Sequence, residues 1–192
     1  MSEDLNKKIV DGLERISEVF KTLYWNKAKL YGVSPIQIQI LLFVATHKTD
    51  LCTVSQLALE FNLSKPTISD AVRVLINKGL VKKAYFLSDS RSYSLIISEK
   101  GKELVLELKG FAKPLLPVLQ TMSEHNASEF YQTITQIIYH LNQSGIISVQ
   151  RTCYACRFYS NQSGKHYCNL MEKPLLGYEI RLDCDEFETN RS

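Results

Sequence analysis

Two short helices separated by a tight turn are encoded near the middle of the chain, and this segment constrains the fold more than any other. Thr53 and Gln56 form a capping box that opens the first helix. Ser64 can cap the second helix, with Pro66 tolerated in its first turn. Residues 53–79 therefore predict a helix-turn-helix.

A β-hairpin is predicted directly after these helices. Leu80–Phe86 and Tyr93–Ile97 are rich in residues that favour strands, and the polar segment 88–92 lies between them. A hairpin in this position is called a wing, and Arg91 is expected at its tip. An arginine there can enter the minor groove of DNA or hold phosphates.

The second helix of the pair has two chemically different faces. Ile68, Val72 and Leu75 share one face with Ile76 and are predicted to be core. The opposite face offers short polar groups, as a helix inserted in the major groove requires. A polar face alone is most simply a solvated one, but the wing that follows favours DNA binding. The residues predicted to contact DNA are Ser64, Lys65, Pro66, Thr67, Ser69, Asp70, Arg73, Ser90 and Arg91.

Positive charge is concentrated in the same segment. The 192-residue chain has a formal net charge of only +3, which does not indicate a partner. Residues 52–100 contain seven Lys and Arg side chains against four Asp and Glu side chains, so this segment alone carries +3. The modest total therefore conceals a local basic zone.

Amphipathic helices are predicted on both sides of the helix-turn-helix. Gly32 is expected to end the first, and Gly145 the last, for which Asn126 and Glu129 form a cap pair. The first helix has an apolar stripe close to heptad spacing, which suits packing on another helix or another subunit. Its members are Leu5, Ile9, Leu13, Ile16, Phe20 and Leu23.

Four short stretches in this order resemble the MarR family, the multiple antibiotic resistance regulators. They are Thr53–Ala58, Leu63–Ser69, Leu75 with Lys78–Val81, and Asp89–Ser92 followed by Leu95–Gly101. The resemblance covers roughly residues 34–101. It does not cover the tail after Ile147.

The resemblance implies a winged-helix repressor that is a homodimer, with the first and last helices at the dimer interface. It makes Ser64–Lys78 the recognition helix and Arg91 the wing-tip arginine. Asp70 departs from the pattern, because the family often has a basic or neutral residue there. An acid at this position loses attraction for phosphate but can accept a hydrogen bond from a cytosine amino group.

Four of the five cysteines lie in the last 40 residues, at Cys153, Cys156, Cys168 and Cys184. The first two are spaced so that one turn can present both thiolates to one ion, and the later two can close a loop around it. Four thiolates in a tetrahedral array suit Zn²⁺ or an iron–sulfur cluster. So short a tail would gain its fold from the metal, which favours structural zinc.

Other readings of the cysteines remain open. Disulfides are disfavoured in a reducing compartment, and four cysteines are too dense for chance packing. His166 could replace one thiolate as a ligand, although His-x-Cys is an awkward chelate. The site could instead be an iron–sulfur or thiol redox sensor. Cys52 stands apart, and the helix that follows it could lower its pKa, although a packing role is the simpler interpretation.

The expected fold class is mainly α with a small β-hairpin wing. Residues 1–148 are predicted to form a winged-helix DNA-binding and dimerisation domain, with the winged helix at about 34–101. Residues 149–192 are predicted to form a four-cysteine metal-binding module. No glycine-rich phosphate loop and no nucleophile motif is present, so an enzyme is not expected.

The expected function is transcription regulation, as a repressor that binds an inverted-repeat operator as a homodimer. The expected partners are double-stranded DNA, a second copy of the chain and a small-molecule effector. An alternative makes the tail a metal-stabilised protein-interaction module, with DNA binding secondary. The longest apolar run, Ile40–Ala45, is too short to span a membrane, and no apolar leader opens the chain, so a cytoplasmic location is expected.

Overall fold

The computed structural model describes residues 3–86, 89–162 and 164–189, with side chains omitted at 86 and 89–92. It is mostly helical with two small antiparallel sheets, which confirms the predicted fold class. The helices are α1 Glu3–Tyr31, α2 Pro35–Thr46, α3 Val54–Glu60, α4 Lys65–Asn77, α5 Glu99–Leu108, α6 Leu116–Leu119 and α7 Glu124–Gln143. The strands are β1 Val81–Phe86, β2 Asp89–Ile97, β3 Tyr159–Gln162, β4 Lys165–Cys168 and β5 Lys173–Leu175.

Local capping explains where the helices of the helix-turn-helix begin and end. The hydroxyl of Thr53 accepts from the backbone N–H of Gln56 at 3.2 Å, and that of Ser64 accepts from the N–H of Thr67 at 3.2 Å. Each hydroxyl satisfies one N–H that the first helical turn leaves unpaired. Gly79 follows α4 with a φ of +70°, the left-handed conformation that ends a helix. The predicted helix-turn-helix is confirmed.

The wing is an antiparallel pair in which Val81 lies opposite Ile97 and Tyr85 lies opposite Tyr93. Its register shifts next to Phe86, which pairs with Asp89. The backbone N–H of Leu95 also donates to the carbonyl of Cys52 at 2.8 Å, so the second strand is tied to the segment just before α3.

The apolar face of α4 is buried as predicted, with Ile68, Val72 and Leu75 at most 1% exposed. Ile76 is only partly buried, because it lies at the edge of this stripe. Full burial of an aliphatic side chain contributes about 1.5–3 kcal/mol. This packing holds α4 against a core to which α2, the wing and α5 also contribute. The large side chains that are fully buried there include Ile38, Ile40, Leu41, Leu57, Val81, Leu95 and Leu108.

The start of α5 lies very close to the start of the wing. A side-chain carbon added at Gly101 would lie 2.1 Å from the carbonyl oxygen of Leu80, so only glycine fits there without displacing backbone. Ser98, which caps α5 by accepting from the Gly101 N–H, also donates to the carbonyl of Gly79 at 2.6 Å. These contacts connect the start of α5 to the segment that follows α4.

The chain divides into two compact units. One comprises residues 1–58 and 64–116, and the other comprises residues 59–63 and 117–192. Within this second unit α7 packs with the C-terminal segment: the Tyr131 hydroxyl donates to the carbonyl of Ile180 at 2.7 Å. The predicted boundary after residue 148 stays a prediction. The predicted start of α7 is wrong, because Ser123 and not Asn126 is its N-cap.

The second unit has a small core for its length. Its three short strands pair in the order β3-β4-β5, all antiparallel. Cys153, Leu175 and Ile180 form its buried hydrophobic cluster.

None of the helices described is on its own long and apolar enough to cross a membrane. Helices α1 and α2 meet that test only when they are taken together, and they are bent by 89° relative to each other.

Cys52 is a core residue of the first unit and is only 1% exposed. Its thiol donates to the carbonyl of Lys48 at 3.4 Å. Burial, and secondarily the charge of Asp50, raises the pKa of this thiol from its usual 9.0 to about 11. The alternative of a pKa lowered by the following helix is therefore contradicted, because burial raises the pKa of this thiol. The packing interpretation agrees with this placement.

We predict that Cys52 resists alkylation in the folded protein. With a pKa of about 11, roughly one thiol in a thousand is ionised at about pH 8. Peptide mapping after iodoacetamide treatment should show Cys52 modified at least about 100-fold more slowly than in guanidinium. Because the unfolded chain loses this proton first, stability should fall as pH rises from about 9 to about 11. Equal labelling rates in the folded and unfolded chain would contradict the burial.

Candidate nucleic-acid interface and cysteine pocket

The solvent-facing side of α4 presents the helix residues that the sequence predicts for DNA contact. All seven of them are exposed: Ser64, Lys65, Pro66, Thr67, Ser69, Asp70 and Arg73. The N-terminal turn of the 13-residue helix is at this face, where free N–H groups and the helix dipole favour a phosphate. The structure thus gathers these residues on one accessible surface.

The charges on this face are partly paired with each other. The guanidinium of Arg73 donates to the carboxylate of Asp70 one turn earlier, and each side chain is 69% exposed. An exposed pair of this kind contributes little to stability. It does hold the arginine along the helix surface, so Asp70 partly neutralises the cation closest to it.

Two of the predicted hydroxyls contact each other. Ser64 and Thr67 lie 2.7 Å apart, oxygen to oxygen, and the Ser64 oxygen also caps the helix. Ser64 therefore positions the first turn in addition to being exposed. The side chains of Ser90 and Arg91 lie outside the described residues, and their place at the wing tip stays a prediction. The wing strand β1 adds an exposed Lys83, whose ammonium lies 4.3 Å from the centre of the Tyr93 ring.

The four C-terminal cysteines line one small pocket inside the second unit. Cys153, Cys156, Cys168 and Cys184 all contribute to its wall, together with apolar side chains such as Leu175. The pocket encloses about 40 Å³, more than the roughly 10–15 Å³ that one water needs. A segment of 32 residues thus brings its four thiols to one place.

Arg181 is the cation that approaches the thiols. Its backbone N–H donates to the sulfur of Cys153 at 3.2 Å, and its guanidinium lies 3.6 Å from the sulfur of Cys184. Burial raises the pKa of the Cys153 thiol, the Arg181 N–H lowers it, and the neighbouring cysteines raise it further. A metal ion must displace this proton, so binding would release protons.

The residues fit a thiolate-binding metal in their chemistry, because four cysteines line the same pocket. The pocket supplies four sulfur donors and N–H groups that stabilise thiolate charge. In the part of the chain described, no three His, Cys, Asp or Glu side chains stand close enough together to hold an ion, so binding requires the sulfurs to draw inward. The Nδ1 of His166 lies 2.6 Å from the Tyr159 hydroxyl, and the alternative that His166 replaces one thiolate stays a prediction.

Other basic residues near the cysteines in sequence contact carboxylates. Arg157 pairs with Glu188 at 2.9 Å, and Arg151 pairs with both Glu60 and Asp183. Arg151 is 91 residues from Glu60 in sequence, so no local pattern predicts this contact.

Comparison with known proteins agrees with this geometry. The sequence model of the MarR family matches residues 31–91. No curated protein matches the chain. A MarR family protein from Bacillus stearothermophilus has 20% identity and a TM-score of 0.62, over 74% of this chain and 99% of that one.

Two further solved structures share the fold. MepR of Staphylococcus aureus, solved as a complex with DNA, has 19% identity and a TM-score of 0.58, over 73% of this chain and 99% of its own. A MarR transcriptional regulator from Methanosarcina mazei has 22% identity and a TM-score of 0.57, over 76% of this chain and 100% of its own. Residues 31–91 therefore resemble the MarR family in sequence, and the chain shares the winged-helix fold of these solved structures.

Proposed function

We propose that this protein is a transcription regulator that binds double-stranded DNA through α4 and the wing. The observation that carries the proposal is the face of α4, where a buried apolar stripe fixes a row of exposed polar residues. A recognition helix needs this arrangement in order to meet base edges in the major groove. The family match and the DNA complex of the similarly folded MepR support it.

We further propose that the regulator acts as a homodimer. Helix α1 has 29 residues, of which only Ala28 is buried within the protomer. Its heptad-like stripe is largely exposed, with Leu5 44%, Ile9 45%, Leu13 42% and Ile16 44% accessible. An exposed apolar stripe of this length on one helix would be buried by packing against a second subunit.

Two-fold symmetry determines the form of the DNA site. A symmetric dimer matches an inverted repeat whose half-sites are about 10 bp apart, centre to centre. Occupation of such a site in the cytoplasm would block transcription, which makes the protein a repressor. A small-molecule effector that binds one arrangement of the two recognition helices better than another would release it.

We predict that Arg73→Ala weakens binding to a duplex selected by this protein from a random pool by about 5- to 100-fold. Asp70→Asn should strengthen binding to unrelated DNA by about threefold and steepen its salt dependence by about one unit, because Arg73 then becomes available to a phosphate. Fluorescence anisotropy at several salt concentrations measures both effects.

Lys102→Ala is the matched control for this pair. It removes one positive charge from α5, where Lys102 pairs with Glu99, and should leave DNA affinity almost unchanged. An equal loss of affinity in Lys102→Ala and Arg73→Ala would show that net charge and not α4 determines binding.

We predict that Leu13→Asp dissociates the dimer, because the buried interface would then contain an unpaired charge. Light scattering coupled to size-exclusion chromatography should show a shift to monomer mass. Lys7→Asp introduces the same acid on the same helix outside the apolar stripe and should leave the dimer intact. A monomeric wild-type protein would contradict the dimer proposal.

We also propose that the cysteine pocket binds structural zinc through Cys153, Cys156, Cys168 and Cys184. The convergence of four thiols and the small hydrophobic cluster of the second unit support this, because such a unit gains stability from a metal. An iron–sulfur cluster is the alternative that the same four donors allow.

We predict one zinc per chain by elemental analysis of protein prepared without oxygen. Cys153→Ser and Cys184→Ser should each lose the metal and lower the thermal stability of the second unit, whereas Cys52→Ser should keep the metal. Since thiols must lose protons to bind, zinc affinity should weaken as pH falls. A brown preparation that contains iron would replace zinc with a cluster, and a metal-free wild-type protein would overturn the site.

A further inference from the structure

The turn of the helix-turn-helix belongs to the cysteine-bearing unit. Residues 59–63, which are the end of α3 and the turn that leads to α4, group with residues 117–192. Because the turn is continuous with Ser64, whatever fixes the turn also influences how α4 begins. The contacts that hold these five residues therefore bear on DNA binding.

Arg151 makes the strongest of these contacts. Its Nη1 and Nη2 donate to the two carboxylate oxygens of Glu60 at 2.9 and 3.0 Å. Its Nε donates to Asp183 at 2.6 Å, and Nη2 reaches the other Asp183 oxygen at 3.4 Å. The Arg151 side chain is only 10% exposed and that of Glu60 only 18%. A guanidinium held by two carboxylates in this fork geometry is strongly oriented.

The same arginine is built into the framework of the cysteine pocket. The backbone N–H of Cys184 donates to the Arg151 carbonyl at 3.2 Å, and Asp183 directly precedes Cys184. Cys153 follows Arg151 by two residues, and its N–H donates to the Arg181 carbonyl at 3.1 Å. A shift of Cys153 or Cys184 toward a metal would therefore act on Arg151 and Asp183, which are close to these cysteines along the backbone.

A second contact holds the turn itself. The Ser148 hydroxyl donates to the side-chain oxygen of Asn62 at 3.1 Å. Asn62 has a φ of +51°, a left-handed conformation that asparagine tolerates better than most residues. The conformation of the turn thus depends on a partner from the cysteine-bearing unit.

The segment around Arg151 is not fully satisfied as it stands. Both amide atoms of Gln150 and the hydroxyl of Thr152 are buried without a hydrogen-bond partner among the described residues. Thr152 is 0% exposed. Buried polar atoms without partners are unfavourable, which favours a second arrangement of this segment when the sulfurs move.

We propose that metal binding at the cysteine pocket controls DNA binding through Arg151. The pair between Arg151 and Glu60 connects the pocket to the turn before the recognition helix. The inference rests on the proposed DNA-binding and metal-binding functions. The metal-loaded pocket fixes Arg151 and Asp183, and the fixed guanidinium holds Glu60. The start of α4 then loses less conformational entropy when it binds DNA. The loaded form is the tighter DNA binder. By linkage, DNA must strengthen zinc binding by the same factor.

The experiment uses the full-length chain, either Zn²⁺-loaded or stripped by a chelator, and a duplex that the loaded protein has selected from a random pool. For the wild type we expect zinc to tighten DNA binding by about tenfold or more, within the range of allosteric couplings. Glu60→Gln keeps the size of the side chain and removes its charge, and should reduce this ratio to less than about threefold. Competition with a metal indicator, with and without DNA, should show the same loss of coupling.

Glu188→Gln is the matched control, because it breaks the exposed pair with Arg157 in the same unit and should retain the wild-type ratio. Ser148→Ala, a milder change at the exposed second contact, should reduce the ratio partially and guards against misfolding of the Glu60 variant. A wild-type ratio in both Glu60→Gln and Ser148→Ala overturns the inference. If the wild type binds DNA and zinc independently of each other, this inference is overturned and the proposed functions stand. If the wild type fails to bind DNA or zinc, the corresponding proposed function is overturned as well.

Discussion

Burial of the apolar stripe on α4 is the constraint on which the exposed polar face of this helix depends. Ile68, Val72 and Leu75 turn one side of the helix inward, and the geometry of 3.6 residues per turn then turns Lys65, Ser69 and Arg73 outward. Capping by Ser64 fixes where this helix begins, and Gly79 fixes where it ends. The position of each exposed polar group follows from these few apolar contacts.

Much of this arrangement is predictable because its causes are local. The cap hydroxyls, the spacing of the apolar residues and the stop at Gly79 act within a few positions of the chain. The pair between Asp70 and Arg73 is equally local, since residues three apart share a helix face. Asp70 is therefore better described as the partner of Arg73 than as an isolated departure from the family pattern.

What the sequence does not predict depends on contacts between distant residues. Glu60 is the last residue of α3, and its neighbours in sequence predict a solvent-exposed acid. It is instead paired with Arg151, which lies 91 positions away in the sequence. Cys52 precedes a helix start that should favour its thiolate, but burial dominates. The four later cysteines are recognisable from their spacing, whereas the role of Arg181 beside them depends on the fold of the loop. In each case the environment of the residue is determined by desolvation or by a contact with a residue distant in sequence.

The second unit is formed by two separate parts of the sequence, and this affects the order in which the chain folds. Residues 59–63 leave the ribosome long before residues 117–192, with which they form one compact body. Contacts between residues so far apart in sequence form late, because the intervening chain must first be made and the loop closed. The turn that leads into α4 therefore reaches its final surroundings only after the C-terminal segment has folded. Completion of the helix-turn-helix is in this way a late step of folding, and a chain interrupted before its cysteines would carry α3 and α4 without the contacts that hold their turn.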